Sequence, residues 1–486
     1  MHTQTQRQIL SIFDGRYRHQ CLELGQYFTE DTYIQVRYDI ELAWLRTLVN
    51  EFYKQDDKQT VLDVLSGLPQ TLTSEHLAGI KTLERITNHD VKAIELFIKA
   101  EFDKLAGSSP IREWVHMCLT SQDVCSPAQT FMLWNATNQL VVQLGRDITD
   151  FQQRITINGW SAIPMLAHTH GQPAVPTLLG KELFFHTQRI GQTLDCLATI
   201  HLTYKFGGAV GTWASGAVTF PDTTPAEWQR LFDETFQTPD GLGYIQHGHL
   251  KFGLPFIENP GLESITMTPL GQTTQTDDYS SYYRLLGELC LLMRQIRAFA
   301  DYIRALIHDE YLVQVHVATE TGSSTMPQKV NPIHFENIKA NSELAIAVLR
   351  SIGDTIMMGE YQRDMSDSTA LRSLSTAFGY ISIVVANLRT GLSRVAPNTE
   401  HIASELDRHP EVIMEAIQTV CRRCNIPAAY EMAKDFSRGR HGANHVTLEA
   451  IQKEFISRIP ELPDAERDRL LALTPSTYLG LFGKNN

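Results

Sequence analysis

Apolar residues recur at three- and four-residue intervals along most of the chain, and alternating apolar–polar runs are scarce. That period predicts helices. The clearest case is 282–307, YYRLLGELCLLMRQIRAFADYIRALI, where Leu285, Leu286, Leu289, Leu292, Ile296, Phe299 and Ile303 form one stripe. Leu291, Met293 and Leu306 widen the stripe, so this helix is expected to be buried on several sides, in the centre of a bundle or an oligomer. A second helix is predicted over 332–352, with Asn331 as N-cap and Pro332 in its first turn. The pattern divides the chain into an N-terminal helical region over 1–110, a long-helix core over 111–365 and a C-terminal helical region over 366–486. Two stretches interrupt it. One is TETGSSTMPQKVNP, 319–332, small, polar and turn-forming. The other, 216–275, carries Pro221, Pro225, Pro239, Pro255, Pro260 and Pro269 among several Gly, and reads as a long insertion-like excursion.

A chain of 486 residues can bury a large core and would normally form two or three domains. Its 43% hydrophobic and 20% charged content is that of a soluble globular protein. The opening MHTQTQRQILSIFDGRY has no signal-peptide core, and no apolar run looks long enough to cross a bilayer, so a cytoplasmic protein is expected. Seven Cys without regular spacing fit a reducing compartment. Cys421 and Cys424, in CRRC, have no second pair or His nearby that would make a metal or redox motif. The net charge of −13 opposes nucleic-acid binding. An anionic ligand would need cations gathered locally against that average, so each cluster of Arg or Lys is informative.

Four stretches gather such groups. In LAHTHGQPAVPTLLGKE, 166–182, His170 is expected on an exposed turn, and His168 and His170 read as a metal pair, as structural imidazoles or as a general acid or base. KTLERITNHDVKAIE, 81–95, is either a solvated charged face or a site in which Asn88 or Asp90 starts a helix and His89 is oriented by Asp90. LTSQDV, 119–124, offers Thr120 and Ser121, which capping alone would explain. GEYQRDMSDSTALR, 359–372, holds Arg363, Ser368 and Arg372, either a phosphate clamp or partners of Asp364 and Asp367. The 319–332 loop is a surface connection or a substrate-handling loop, and it leads into a helix N-terminus, which favours an anion.

Together these stretches resemble one family. GSSTMPQKVNPIHFEN is similar to the signature loop of the aspartase/fumarase superfamily, GSSxMPxKxNxxxxE, closing here at Glu336. FDGRY, KTLERITNHDVKAIE, LTSQDV, THGQPAVPTLLGKE and YQRDMSDSTALR resemble the adenylosuccinate lyase family within it, from about residue 10 to LTPSTYLG near the C-terminus. The resemblance implies an all-α fold of three helical domains, whose central long-helix bundle forms the core of a homotetramer with active sites shared between subunits. It implies elimination of fumarate from adenylosuccinate and from the succinylated carboxamide ribotide SAICAR, with no cofactor and no metal. By the same resemblance Ser323 would be the base and His170 the acid. Lys329 would stabilise both the alkoxide and the carbanion. His89 and Asp90 would orient the substrate. Thr120, Ser121, Gln275 and Asn331 would hold carboxylates and nearby polar atoms. Arg363, Ser368 and Arg372, with Arg16 and Tyr17, would hold the phosphate.

The chain departs from the family pattern at Ala167-His168, at Gln328, in TWASGA after GGAVG, in TDDYSSY after Gln275, and in the length of 216–275. These departures bear on substrate preference and leave the proposed catalytic groups in place. The rivals are sibling lyases or cycloisomerases, whose substrates lack a phosphate, a non-catalytic helical oligomer, and a nucleotide-binding regulator.

Overall fold

A computed structural model describes residues 11–107, 109–237, 272–315, 325–439 and 445–481, and the backbone of 267–269. The fold is helical, with three short two-stranded ribbons among the described residues. The chain forms two compact units, Met1–Arg146 with Gln192–Ile296 and Asn337–Ala386, and Asp147–Gly191 with Arg297–Glu336 and Asn387–Asn486.

The first unit is organised around the helix Glu30–Phe52. Thr29 caps it by accepting the Thr32 amide at 3.1 Å, and Glu30 and Asp31 lie at its positive end. Both of its faces are buried. Tyr33, Val36, Ile40, Trp44 and Leu48 pack with Phe131, Phe206, Trp213, Trp228 and Phe232. Ile34, Tyr38, Leu45 and Val49 pack with Val61, Leu65, Ile94, Phe97 and Phe102.

The described part of the 216–275 excursion contains the helix Pro225–Gln237, opened by a proline where the missing N–H costs nothing. Its Trp228 and Phe232 rings lie 5.3 and 4.7 Å from that of Trp213. The unusual TWASGA stretch thus sends Trp213 into the core while Thr212, Ala214, Ser215 and Ala217 stay exposed, and Gly216 is required because a Cβ there would sit 2.2 Å from the Trp213 indole nitrogen. A parallel ribbon pairs Leu202–Tyr204 with Met267–Pro269.

The predicted 282–307 helix is observed as Ser280–His308. Its stripe is buried, and so are Met293 and Leu306, but Leu291 is 40% exposed and Tyr283 47% exposed. Within the single chain the helix is thus buried around most of its circumference, and Leu291 and Tyr283 stand on the side the chain itself leaves open. The helix predicted from Pro332 runs Ile333–Ile356. The Glu336 amide bonds to the Pro332 carbonyl, so Pro332, not Asn331, stands at the cap position.

In the second unit, Pro164–Thr169 and Gln172–Leu178 form an antiparallel hairpin in which Thr169 faces Gln172. The two turn residues, His170 and Gly171, have φ of 52° and 72°, the left-handed pair that a two-residue hairpin needs to match strand twist. A second antiparallel ribbon joins Leu312–Gln314 to Val395–Pro397. The C-terminal core gathers Leu406, Ile413, Ile417, Ile451 and Ile456, and Cys421 is buried in it, with Cys424 at the end of the helix Met414–Arg423.

One described helical stretch, 366–393, is long and apolar enough to cross a membrane, contrary to the expectation that none would be. More than half of its apolar window is buried inside the protein, as in a core helix.

Two glycines make a test of backbone constraint. At Gly211, φ is 75° and a Cβ would lie 2.0 Å from the Thr273 carbonyl oxygen, whereas at Gly439, φ is 79° with open space around it. Gly439→Ala should cost about 1 kcal/mol from backbone strain alone. Gly211→Ala should cost at least about 2 kcal/mol more, since backbone must move. Thermal unfolding of the two variants measures the difference.

Candidate functional site

Most of the candidate residues lie in the first unit, and His89, Asp90, Ser121, Gln275, Arg363 and Arg372 are linked there by hydrogen bonds, in part through neighbouring residues. Asn88, with φ of 53°, ends the helix Ser74–Thr87 instead of starting the next one. His89 is the N-cap of the helix Asp90–Ala106, its Nδ1 accepting the Lys92 amide at 3.1 Å. A ring that accepts at Nδ1 carries its neutral-state proton on Nε2. That Nε2 faces Ser121 Oγ at 3.5 Å. The cap therefore fixes both the imidazole's direction and its tautomer.

Asp90 does not orient His89. Its carboxylate accepts from Arg37 at 2.7 Å and from Arg372 at 3.1 Å. Burial alone would raise the Asp90 pKa, but the two guanidinium groups outweigh it and hold it down at about 2. Arg37 is buried, stacks 3.9 Å from the centre of the Tyr33 ring, and also donates to the Tyr33 carbonyl. Arg372 is half exposed and fixed from one side only, which leaves guanidinium donors facing out.

Thr120 and Ser121 stand at the start of the helix Ser121–Ile157. The cap comes from the acidic residue three positions on, because Asp123 accepts the Thr120 amide at 2.8 Å. The other Asp123 oxygen accepts from Lys205 Nζ and the Gly207 amide at 2.7 Å each, and from the Gly208 amide at 3.1 Å. Both side chains of this ion pair are fully buried. Burial pushes the Asp123 carboxyl up and the Lys205 amine down, and their contact works against both shifts.

Arg363 precedes the short helix Ser366–Arg372, which carries Ser368 and ends on Arg372. Hydrogen bonding orients the Gln122 amide with its oxygen toward Arg363, which donates to it at 3.1 and 2.8 Å. Arg363 also approaches Gln275 Oε1 at 3.5 Å and Asp367 at 4.0 Å. Asp367 is buried and held by Tyr279, whose hydroxyl donates at 2.7 Å. Of the two acids read as possible Arg partners, Asp367 is the one at ion-pair distance from Arg363, while Asp364 caps backbone and hydroxyl groups of Glu360 and Ser366. Arg16 is exposed, its guanidinium 5.8 Å from the Tyr17 ring.

The remaining candidates belong to the second unit. His170 is exposed at the hairpin turn. Lys329 is exposed, with its amide bonded to the Met326 carbonyl. The Asn331 carbonyl accepts the Ile333 amide, and Glu336 lies 3.8 Å from Arg304. Gly322, Ser323 and Ser324 lie outside the described residues. Among the described residues no group of three His, Cys, Asp or Glu side chains is placed to hold a metal.

Comparison with known proteins identifies the family. Residues 359–479 match the family model described as adenylosuccinate lyase C-terminal, and 24–233 with 257–346 match the model described as lyase. The adenylosuccinate lyases of Escherichia coli K12, Haemophilus influenzae and Dictyostelium discoideum are 31%, 32% and 33% identical to the chain, each over 97% of it and 96% of their own length. The chain belongs to the adenylosuccinate lyase family. Among solved structures, a 3-carboxy-cis,cis-muconate lactonizing enzyme from Pseudomonas putida superposes with a TM-score of 0.71 at 18% identity, covering 95% of this chain and 94% of that one. A fumarate lyase from Mesorhizobium sp. BNC1 gives 0.66 at 16% identity over 95% of both chains. Those two establish a shared fold.

Within this family member, several residues of the network escaped the sequence reading: Arg37, Tyr33, Asp123, Lys205 and Tyr279. For Arg37 and Lys205 the signal is a charge inside an apolar run, as with Arg37 and Glu41 in TYIQVRYDIELAWL and Lys205 in LTYKFGG. Glu41 shows the same device. It is fully buried 2.6 Å from His116 Nδ1, in the segment that carries Thr120, and Trp44 Nε1 donates to the neighbouring Met117 carbonyl.

Burial lowers the His116 pKa, yet Glu41 more than offsets that and leaves it raised above 6.5. A raised pKa means that the pair's stabilisation is complete below pH 6.5 and is lost as pH rises through the folded-state value. The stability difference between wild type and His116→Gln should then be largest near about pH 6 and shrink toward about pH 9. Urea denaturation at a series of pH values measures it, and a difference flat with pH would show that the pair does not titrate in this range.

Proposed function

We propose that this chain cleaves adenylosuccinate to AMP and fumarate, and SAICAR to AICAR plus fumarate, as a cytoplasmic homotetramer. The observation that carries the reading is the joining of Arg363, Arg372, Gln275, Ser121 and His89 into one network within a member of the adenylosuccinate lyase family. A phosphate and two carboxylates demand such a gathering of donors, and sibling lyases whose substrates lack phosphate have no use for the Arg pair.

In this reading Arg363, Ser368 and Arg372, with Arg16 and Tyr17, hold the phosphate. Thr120, Ser121, Gln275 and Asn331 hold the succinyl carboxylates, and His89 presents its Nε2 proton to them. Ser323, as alkoxide, takes the proton from the carbon beside the leaving nitrogen's carbon. The electron pair spreads onto the adjacent carboxylate, where Lys329 meets its charge. It then forms the double bond of fumarate as the C–N bond breaks, and His170 gives a proton to the departing nitrogen. The exposed turn that holds His170 leaves its ring reachable by substrate. Glu336 supports the loop through its place at the start of the following helix. The three-domain division at 110 and 365 belongs to the same proposal, as does the sharing of each active site between subunits.

Turnover of adenylosuccinate, followed by ultraviolet absorbance with fumarate assayed separately, tests the reaction. Ser323→Ala and His170→Gln should each lower kcat by about 10²–10⁴-fold with folding intact. A well-folded wild type with no turnover would send the assignment to another succinyl substrate. Shared sites predict a second result: mixing the two inactive variants under subunit exchange should restore activity, and no recovery after demonstrated exchange would exclude sharing.

A further inference from the structure

We propose that Lys205 is a positioning residue of the substrate site, acting through its buried pairing with Asp123 to set the spacing between the Thr120–Ser121 turn and the Gly207–Gly211 turn. The inference rests on the functional reading above, because it concerns how that site holds succinyl carboxylates.

The path can be followed bond by bond. One Asp123 oxygen takes the Thr120 amide, which places Thr120 and Ser121 at the head of their helix. The other takes Lys205 Nζ and the amides of Gly207 and Gly208. Lys205 Nζ also donates to the Gly208 carbonyl, so a single ammonium ties a carboxylate to the turn that faces it. The Lys205 amide is itself pinned by Ser126 Oγ at 2.9 Å. Beyond the turn, the Ala209 carbonyl accepts Gln275 Nε2 at 2.9 Å, and the Gln275 amide bonds to the Gln362 carbonyl at 3.3 Å, next to Arg363. Gly211 packs so closely on Thr273 that this part of the turn has no freedom to drift. The stretch that carries Thr120 and Ser121 and the 205–208 turn thus meet at one carboxylate and one amine, and Gln275 and the residue before Arg363 are tied on through Ala209.

Stability does not explain why ions are used here. A fully buried pair recovers little more than its desolvation cost, and an apolar pair of similar volume often does as well. What an apolar pair lacks is direction. Lys205 and Asp123 touch the site residues only through backbone, and neither reaches the position assigned to the reacting atoms.

The test uses the full-length protein and three variants, Lys205→Met, Asp123→Asn and the double substitution. Lys205→Met should raise KM for adenylosuccinate about 10-fold or more. It should leave the shape of the pH–rate profile unchanged, because the acid and base are untouched. It should also lower Tm, since it strands a buried carboxylate. The double variant removes both charges and should recover most of the lost Tm while KM stays raised. Recovery of Tm and KM together would reduce the pair to a structural role and overturn the proposal. So would a KM within about 2-fold of wild type in Lys205→Met. If Lys205→Met does not fold, the double variant decides alone by the same criterion. Absence of turnover by the wild type would instead sink the functional reading, and the two failures cannot be confused.

Discussion

Burying a charge is costly unless it is paired and hydrogen-bonded, and the first unit is built around that constraint. Asp123 with Lys205, Asp90 with Arg37, and Glu41 with His116 each place a carboxylate beneath a segment that carries candidate site residues. In the Asp123 and Asp90 pairs the buried partner satisfies one oxygen of the acid, and backbone amides, of Thr120 and Val91, fill the other. Asp90 also holds Arg372 in place, while Arg37 carries much of the pairing with that acid, so the outer guanidinium keeps donors for a ligand. An acidic chain thereby presents cations in fixed directions without neutralising them.

Backbone conformation does the complementary work. The left-handed residues Asn88 and His170 both stand at points where a candidate group must be aimed. Asn88 ends one helix so that His89 can cap the next with its ring, and the cap sets the tautomer. His170 shares a two-residue turn with Gly171, a geometry that costs a non-glycine residue about 1 kcal/mol or more and is sustained by the paired strands on either side. Strain of this kind at a proposed acid fits a ring that must stand clear of the surface.

Long helices, the helix before and after the signature loop, and the exposed turn at His170 were legible because period, capping residues and Gly-Pro punctuation act locally. The clustered motifs were legible too, since a mixed pattern such as GSSTMPQKVNPIHFEN is specific in itself. The excursion at 216–275 and TWASGA were visible only as departures. The packing of Trp213, Trp228 and Phe232 around Trp44 depends on residues far apart in the chain, which no local window contains. Leu291 shows the same limit of local pattern: its type suggests burial, but whether a face of a helix is covered depends on what lies against it.

By itself, then, the amino-acid order determined the helical class, the candidate chemical groups and the family they resemble, because periodicity and motif spacing are properties of neighbouring residues. Only the tertiary structure decided which acid holds which cation: that Asp90 serves Arg37 and Arg372 and not His89, that Arg363 turns to Gln122 and Asp367, and that a lysine in an apolar run meets Asp123. Ion pairs form between whichever side chains the packed helices bring within a few ångströms. That choice belongs to the fold and leaves no mark in any short stretch of sequence.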